Sequence, residues 1–381
     1  MKYKRTTILI LAALSCCKCL FFGKSNKTPV VPPKKIIGLV LTTNVGDMIF
    51  ATSVFRAIKE KYPTTHLTIV GSKKNTITLF GNKDIDIYIA TPTSVWELVK
   101  ILKAVNADFG FSLATGSVEI ASMVLSGLKS IATFDVKNAK AHTRSYSLLK
   151  SLCIQVPFYI GQYFSQEYLR ILEPINIFST NTKKYLYYDE NVAKNLKVKF
   201  LEKGIDLENE RIVAISPGAG TKIKQWPEDR FATVARYLEN QEGYRIAVIG
   251  GPGDKKEIEL FSSYFKSDTL IDASALSLEE LKYFISTCKL LIANDSGPVY
   301  IAEAFKVPTF VLVGPTDEIE HPPRGTFNIV VTPQRDVAPV MRGHIVGYNK
   351  EEARRQIEEI TVDVVLTALK GLIVGLKQAN I

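Results

Sequence analysis

Short runs of apolar, β-branched residues alternate with longer stretches of helical period along most of the chain. Residues 36–41 (IIGLVL) read as a strand buried on both faces, since such strands are continuously apolar rather than alternating. The turn at 42–47 (TTNVGD) follows. Helical spacing then runs over 48–62 through Ile49, Val54, Ala57 and Ile58 until Pro63 stops it. Residues 67–70 (LTIV) restart as a strand, and runs at 85–90, 109–113 and 130–134, with a helical stretch at 95–105, continue the alternation. This is the pattern of a parallel sheet wrapped by helices.

The second half repeats the theme, with strands expected at 212–216, 245–249, 290–293 and 309–313 and helices at 229–241, 255–265, 278–287 and 297–305. Each strand closes on turn-forming residues: Pro217-Gly218, Gly250-Gly251, Asn294-Asp295 and Gly314-Pro315. Doubly wound sheets bind ligands outside the carboxyl ends of their strands, so chemistry is expected at these turns. The polar stretch 176–209 should contain the interdomain connection, and a last helical pattern at 350–377 should pack back across the domains. The expected division is an apolar leader at 1–35, α/β domains at 36–200 and 201–349, and a closing helix at 350–381.

Composition changes this picture only at the amino terminus. With 381 residues, 46% apolar and 23% charged, the chain is neither collagen-like, nor a disulfide scaffold, nor wholly disordered. The net charge of +10 would suit a nucleic-acid binder if it were spread evenly. Eight of those charges lie in residues 1–35 (Lys2, Lys4, Arg5, Lys18, Lys24, Lys27, Lys34, Lys35), which hold no acidic residue, so the body is nearly neutral and no nucleic-acid partner is expected.

Residues 6–22 (TTILILAALSCCKCLFF) behind this basic cluster have the pattern of a signal-peptide n-region and h-region. A spanning helix wants about 20 apolar residues, and Lys18 interrupts this run, although a lysine near a helix end can snorkel. No small-x-small cleavage site follows, which favours retention; a spanning anchor and a segment lying in the inner leaflet both stay open. Anionic lipid would attract either form. Cys16, Cys17 and Cys19 lie in this segment, leaving Cys153 and Cys288 as small core hydrophobes. His66, His142, His321 and His344 are far apart and none has metal-ligand spacing, so neither a metal nor another cofactor is expected.

Three turns carry candidate chemistry. Gly46-Asp47 follows the first strand: Gly46 permits close backbone approach, and Asp47 is either a helix cap or a general base. Residues 217–231 (PGAGTKIKQWPEDRF) form a glycine-containing strand exit with Lys222 and Lys224. The G-K-[ST] ending of a phosphate-binding loop is absent, so the lysines serve a phosphate oxygen or merely solvate a loop. Trp226 reads as packing. Asn294-Asp295-Ser296-Gly297-Pro298 opens a helix whose N–H groups could hold a diphosphate, with Ser296 adding a hydroxyl. Asp295 would repel a phosphate, which points instead to hydrogen bonds from neighbouring N–H groups or sugar hydroxyls; a plain capped turn is the alternative. Gly250-Gly251 is a further glycine turn at the same edge.

Taken together, GDMIFATSVFRAIKEKYP, SPGAGTKIKQWPEDRF, VIGGPGD, LSLEELKYFISTCKLLIANDSGP, VPTFVLVGPTD and ITVDVVLTAL resemble, in order, the ADP-heptose:lipopolysaccharide heptosyltransferase family, glycosyltransferase family 9. The resemblance spans roughly residues 36–370. It implies a GT-B fold, with two Rossmann-like domains facing across a cleft, acceptor on the first and nucleotide-sugar on the second. It also implies inverting chemistry without a metal. By the same resemblance Asp47 is the general base and Lys224 stabilises the departing diphosphate. Ser296 and Gly297 bind donor phosphates, with Asp295 holding the local network. Gly46, Gly218, Thr221, Gly250, Gly251 and Tyr300 complete the expected substrate-binding set.

Family members often carry histidine where this chain has Tyr300, which cannot bear imidazolium charge, so donor affinity or identity is expected to differ. Cysteines frequent in the family are absent between Asp336 and Arg342. The leading expectation is a heptosyltransferase-like enzyme at the cytoplasmic face of the inner membrane, with a nucleotide-sugar donor and a lipid-linked saccharide acceptor. A degenerate nucleotide- or saccharide-binding module is the alternative, and a periplasmic sugar-binding protein would follow from a cleaved leader.

Overall fold

The computed structural model describes residues 5–137, 143–334, 336, 338–342 and 349–380; Lys2 and Lys4 of the basic leader, and His142 and His344, lie outside the described residues. The chain divides into two compact units, Met1–Tyr185 and Leu186–Ile381.

The first unit contains α1 (Arg5–Phe22), β1 (Lys35–Val40), α2 (Val45–Lys61), β2 (His66–Gly71), α3 (Asn75–Thr78), β3 (Ile87–Ala90) and α4 (Val95–Val105). It continues with β4 (Phe109–Ser112), α5 (Ser117–Ser126), β5 (Ile131–Val136), α6 (Arg144–Lys150), β6 (Ile154–Phe158) and α7 (Phe164–Leu169). Its six strands are parallel, in the order β3-β2-β1-β4-β5-β6. Strand order reverses between β1 and β4, so the exits of those two strands flank the switch point where such sheets take ligands.

The second unit contains α8 (Glu190–Leu201), β7 (Ile212–Ser216), α9 (Glu228–Glu242), β8 (Arg245–Val248), α10 (Lys255–Tyr264), β9 (Ile271–Asp272) and α11 (Leu278–Thr287). It continues with β10 (Leu290–Asn294), α12 (Gly297–Ala304), β11 (Thr309–Leu312), β12 (Asn328–Val331), α13 (Lys350–Glu358) and α14 (Val362–Gln378). The parallel order β12-β11-β10-β7-β8-β9 puts its switch point between β10 and β7. Every residue of β7 and of β10 is buried, as the continuous apolar runs require. Two doubly wound parallel sheets are what the alternating pattern predicts.

Three expectations change. The boundary between the units falls within 176–209 as expected, but that stretch is not irregular throughout, because α8 packs on α11 within the second unit. The closing pattern is two helices, since the Thr361 hydroxyl accepts from Val364 N–H and starts α14 afresh. They pack within the second unit: α13 on the turn after β7, and α14 on α9 and β12.

The third concerns the leader. Helix α1 is docked on α5 and α6 through buried Leu11 and Ala12, with Ile8, Cys16 and Cys19 partly buried beside them. Lys18 does not snorkel: its Nζ donates to Val124 O at 3.0 Å and Leu125 O at 2.9 Å. Those carbonyls belong to the last turn of α5, where a cation meets the negative end of the helix dipole and adds to the bond that Val124 O already accepts from Gly127 N–H.

Candidate active site

In the first unit, the exit of β1 turns directly into α2. Asn44 is the residue ahead of the helix and makes no side-chain cap; Asp47 is the third helical residue. The capping alternative for Asp47 therefore does not hold. Its Oδ2 accepts instead from Thr42 Oγ1 at 2.8 Å and Asn44 Nδ2 at 3.0 Å, two donors of its own turn. Oδ1 accepts no hydrogen bond among the described residues, and the side chain is partly exposed. One oxygen is thus held while the other remains able to take a proton. Gly46, the preceding helical residue, is buried. Burial, reinforced by the Asp47 charge, pushes the neighbouring Tyr168 phenol up, so that phenol stays neutral. Across the switch point, Glu119 in the first turn of α5 has its carboxyl raised by burial. Sequence reading passed over it, because a carboxylate in a first helical turn is commonplace.

In the second unit, the exits of β7 and β10 are clamped together by one amide. Asn294 is fully buried; its Oδ1 accepts from Trp226 N–H at 3.0 Å, and its Nδ2 donates to Pro217 O at 2.8 Å and Gly218 O at 3.4 Å. Trp226 is itself packing, as expected: fully buried, edge-on to Phe231, its indole N–H donating to Ile360 O at 2.7 Å. Arg354 of α13 donates to Lys222 O and Gln225 O and so ties down the 3₁₀ turn Lys222–Lys224.

These fixtures deliver Lys224 to Asp295 across 71 residues of sequence, with Nζ–Oδ2 at 2.9 Å. Asp295 is buried and its partners are side chains: besides Lys224, Tyr300 OH donates to Oδ1 at 2.6 Å and Thr316 Oγ1 to Oδ2 at 3.0 Å. The expectation that neighbouring backbone N–H groups would serve this carboxylate is thereby corrected. Burial opposes its ionisation, but the Lys224 ammonium, the nearby His321 and the Tyr300 hydrogen bond together hold it far below the usual carboxylate range. Thr316 and His321 were not found from sequence; they lie beyond β11, and no spacing links them to Asp295. An ammonium has three donors, and Nζ of Lys224 makes no other hydrogen bond among the described residues. Two remain for an incoming anion.

The other expected residues of the second unit lie at the exits of β7, β8 and β10. Thr221 accepts from Ile223 N–H at 3.4 Å and opens the Lys222–Lys224 turn. Ser296 and Gly297 form the amino terminus of α12 at the β10 exit, and the Ser296 hydroxyl donates to Asn294 O at 3.1 Å. Gly250 and Gly251 follow β8, where Gly251 N–H already donates to Asp254 Oδ2 at 2.8 Å. Among the described residues, no three of His, Cys, Asp and Glu gather as metal ligands. A Cβ at Gly218 would overlap the Asp254 carboxyl, and one at Gly250 would press on Ile258. Gly218→Ala is therefore expected to displace Asp254 and destabilise the second unit by about 1–3 kcal/mol, read as a lower midpoint in urea unfolding with an unchanged m-value.

The profile of glycosyltransferase family 9 (heptosyltransferase) matches residues 95–342, which take in the whole Lys224–Asp295 network and begin after Asp47. The chain belongs to glycosyltransferase family 9. A relative of this family, lipopolysaccharide heptosyltransferase 3 of Escherichia coli, is 26% identical over 298 residues, covering 75% of this chain and 84% of that protein. Among solved structures, a family 9 glycosyl transferase from Veillonella parvula superposes with a TM-score of 0.73 at 20% identity, covering 90% of this chain and 98% of that one. The ADP-heptose lipopolysaccharide heptosyltransferase II of E. coli superposes with a TM-score of 0.70 at 18% identity, covering 90% and 99%. These likenesses establish the GT-B class of two Rossmann-like domains for this family 9 chain.

Proposed function

We propose that the protein is an inverting transferase that moves heptose or a similar sugar from a nucleotide donor, ADP-heptose foremost, to a lipopolysaccharide core or related lipid-linked saccharide. Family 9 membership over residues 95–342 carries this reading. In the reaction an acceptor oxygen bonds to the anomeric carbon from the side opposite the diphosphate. Its proton passes to Asp47, and the anomeric C–O pair leaves with the diphosphate. Thr42 and Asn44 support the base role by fixing one Asp47 oxygen and sparing the other. Lys224 neutralises charge on the leaving group with the two N–H donors that Asp295 does not use, so no metal ion is needed for that task. Asp295 keeps Lys224 aimed.

Ser296 and Gly297 present the α12 amino terminus to donor phosphates, while Gly46, Gly218, Thr221, Gly250 and Gly251 keep the strand exits open to ligand. Because the Gly251 N–H is taken by Asp254, that residue contributes shape rather than a donor. Tyr300 acts on the donor through Asp295, its phenol being spent on that carboxylate. The acceptor's lipid places the enzyme at the cytoplasmic face of the inner membrane, attached through α1.

Incubating the purified protein with a panel of nucleotide-sugars and lipopolysaccharide-core acceptors should give an acceptor heavier by one heptose, with inverted anomeric configuration by NMR and full activity in a chelator. Tight nucleotide binding with no transfer from any donor would overturn the reading in favour of a binding module.

A further inference from the structure

Helix α1 has two faces of different fate. One is docked on α5 as described, with Ser15 fully buried and hydrogen-bonded to Leu11 O. The other presents Leu9, Ile10, Leu14, Cys17, Leu20 and Phe21 to solvent, with Ile10 60% and Leu20 and Phe21 each 83% exposed. These positions recur with helical period and form one apolar stripe running the length of the helix. Arg5, Lys24 and Lys27, at the two ends of the helix sequence, are exposed, and residues 1–35 hold no acidic residue.

Where the carboxyl end of α1 meets the end of α5 lies a cavity of about 240 Å³, lined by Lys18, Lys24, Lys27 and Lys129 together with Phe22 and Leu128, and by no carboxylate. Lys27 N–H donates to Lys129 O at 3.1 Å and Ser130 Oγ to Lys27 O at 2.7 Å, which hold the two lysine backbones side by side. The ammonium groups of Lys24, Lys27 and Lys129 make no ion pair or hydrogen bond among the described residues. Lysines without counter-ions at the carboxyl end of a helix whose exposed face is hydrocarbon match one chemistry, an anionic phospholipid surface whose phosphate the lysines meet while the stripe enters the acyl region.

We propose that α1 attaches the first unit to an anionic bilayer by lying in its surface, not by crossing it, with the Lys24–Lys27–Lys129 cavity as a lipid-phosphate site. Crossing would require the helix to leave α5, uncap the Val124 and Leu125 carbonyls and carry Lys18 into hydrocarbon. This deepens the membrane attachment proposed above and is independent of which sugar is transferred.

The full-length protein is sedimented with vesicles of phosphatidylcholine alone or doped with phosphatidylglycerol. Binding should favour the doped vesicles, and the triple variant Lys24→Ala, Lys27→Ala, Lys129→Ala should lose on the order of a hundredfold in partitioning onto them without a change in Tm. In a Trp96→Phe background, Ile10→Trp, Leu14→Trp and Phe21→Trp should each be quenched by brominated lipid at one shallow depth. A depth graded from residue 10 to residue 21 would overturn the in-plane arrangement while leaving attachment standing. Equal binding to both vesicle types would overturn the phosphate site. No binding to either would overturn the attachment itself, and sugar transfer to a detergent-solubilised acceptor would show that the proposed reaction survives that loss.

Discussion

Replacing Asp47 by asparagine should lower kcat for sugar transfer by about 10²–10⁴-fold while leaving donor KM and thermal stability near wild type. Amide and carboxylate have the same shape, so the bonds from Thr42 Oγ1 and Asn44 Nδ2 can be kept through the amide oxygen. Only the capacity to accept the acceptor's proton is lost. The side chain is partly exposed and makes no ion pair among the described residues, which limits the cost to folding. Steady-state kinetics with donor and acceptor varied separately, beside a melting curve, check the prediction. A variant as fast as wild type would remove Asp47 from the chemistry, and one that simply unfolds would reassign it to structure.

The second large effect is expected at Asp295. Asp295→Asn keeps acceptors and donors for Tyr300 and Thr316 but leaves the Lys224 ammonium without its counter-ion in a largely buried place. Breaking a buried pair from one side costs about 3 kcal/mol or more, which for a unit of this size lowers Tm by roughly 6–12 °C. Transfer should fall as well, since Lys224 would no longer be aimed by its carboxylate partner. The pH dependence separates electrostatics from packing. The folded carboxyl is held below its unfolded value, so its stabilisation is complete above the ordinary carboxylate pKa of about 4 and fades as pH falls further towards the folded value. The stability gap between wild type and Asp295→Asn should therefore be constant near neutrality and narrow below about pH 4. A gap unaffected by acid would mean that misfit of the amide, and not the lost ion pair, causes the loss.

Much of the fold was legible because strands buried on both faces leave an unbroken apolar signature. IVAIS at 212–216 coincides with β7, and LEELKYFIST with α11 behind its Ser277 capping box. Elements that escaped lack such a signature. Strand β6 contains Pro157 and is half exposed at the sheet edge, and β12 is four residues of which only Val331 is buried. Helix α8 is rich in lysine and buries only Ala193, Leu196 and Phe200, so its period drowned in polar sequence.

The site divides in the same way. Motifs flanking strand exits were visible, since the doubly wound arrangement itself puts them at one edge. What each motif touches was not. The Lys224–Asp295 pair depends on β10 lying beside β7, and Thr316 and His321 enter only because β11 is the next neighbour. Lys18 looked like a flaw in an apolar run until α5 supplied the carbonyls that explain it.

The ties from Trp226 to Ile360 and from Arg354 to Lys222 and Gln225 bear on how the enzyme is made. Chains fold from the amino end as they emerge from the ribosome, and the brace on the lysine turn is synthesised 129–134 residues after the turn itself. A nascent chain can complete its first sheet and most of its second while Lys224 still lacks its fixed position. On the role proposed for Lys224, transfer activity arrives only once α13 and the start of α14 have emerged, so that ribosomes stalled ahead of them would release an inert product.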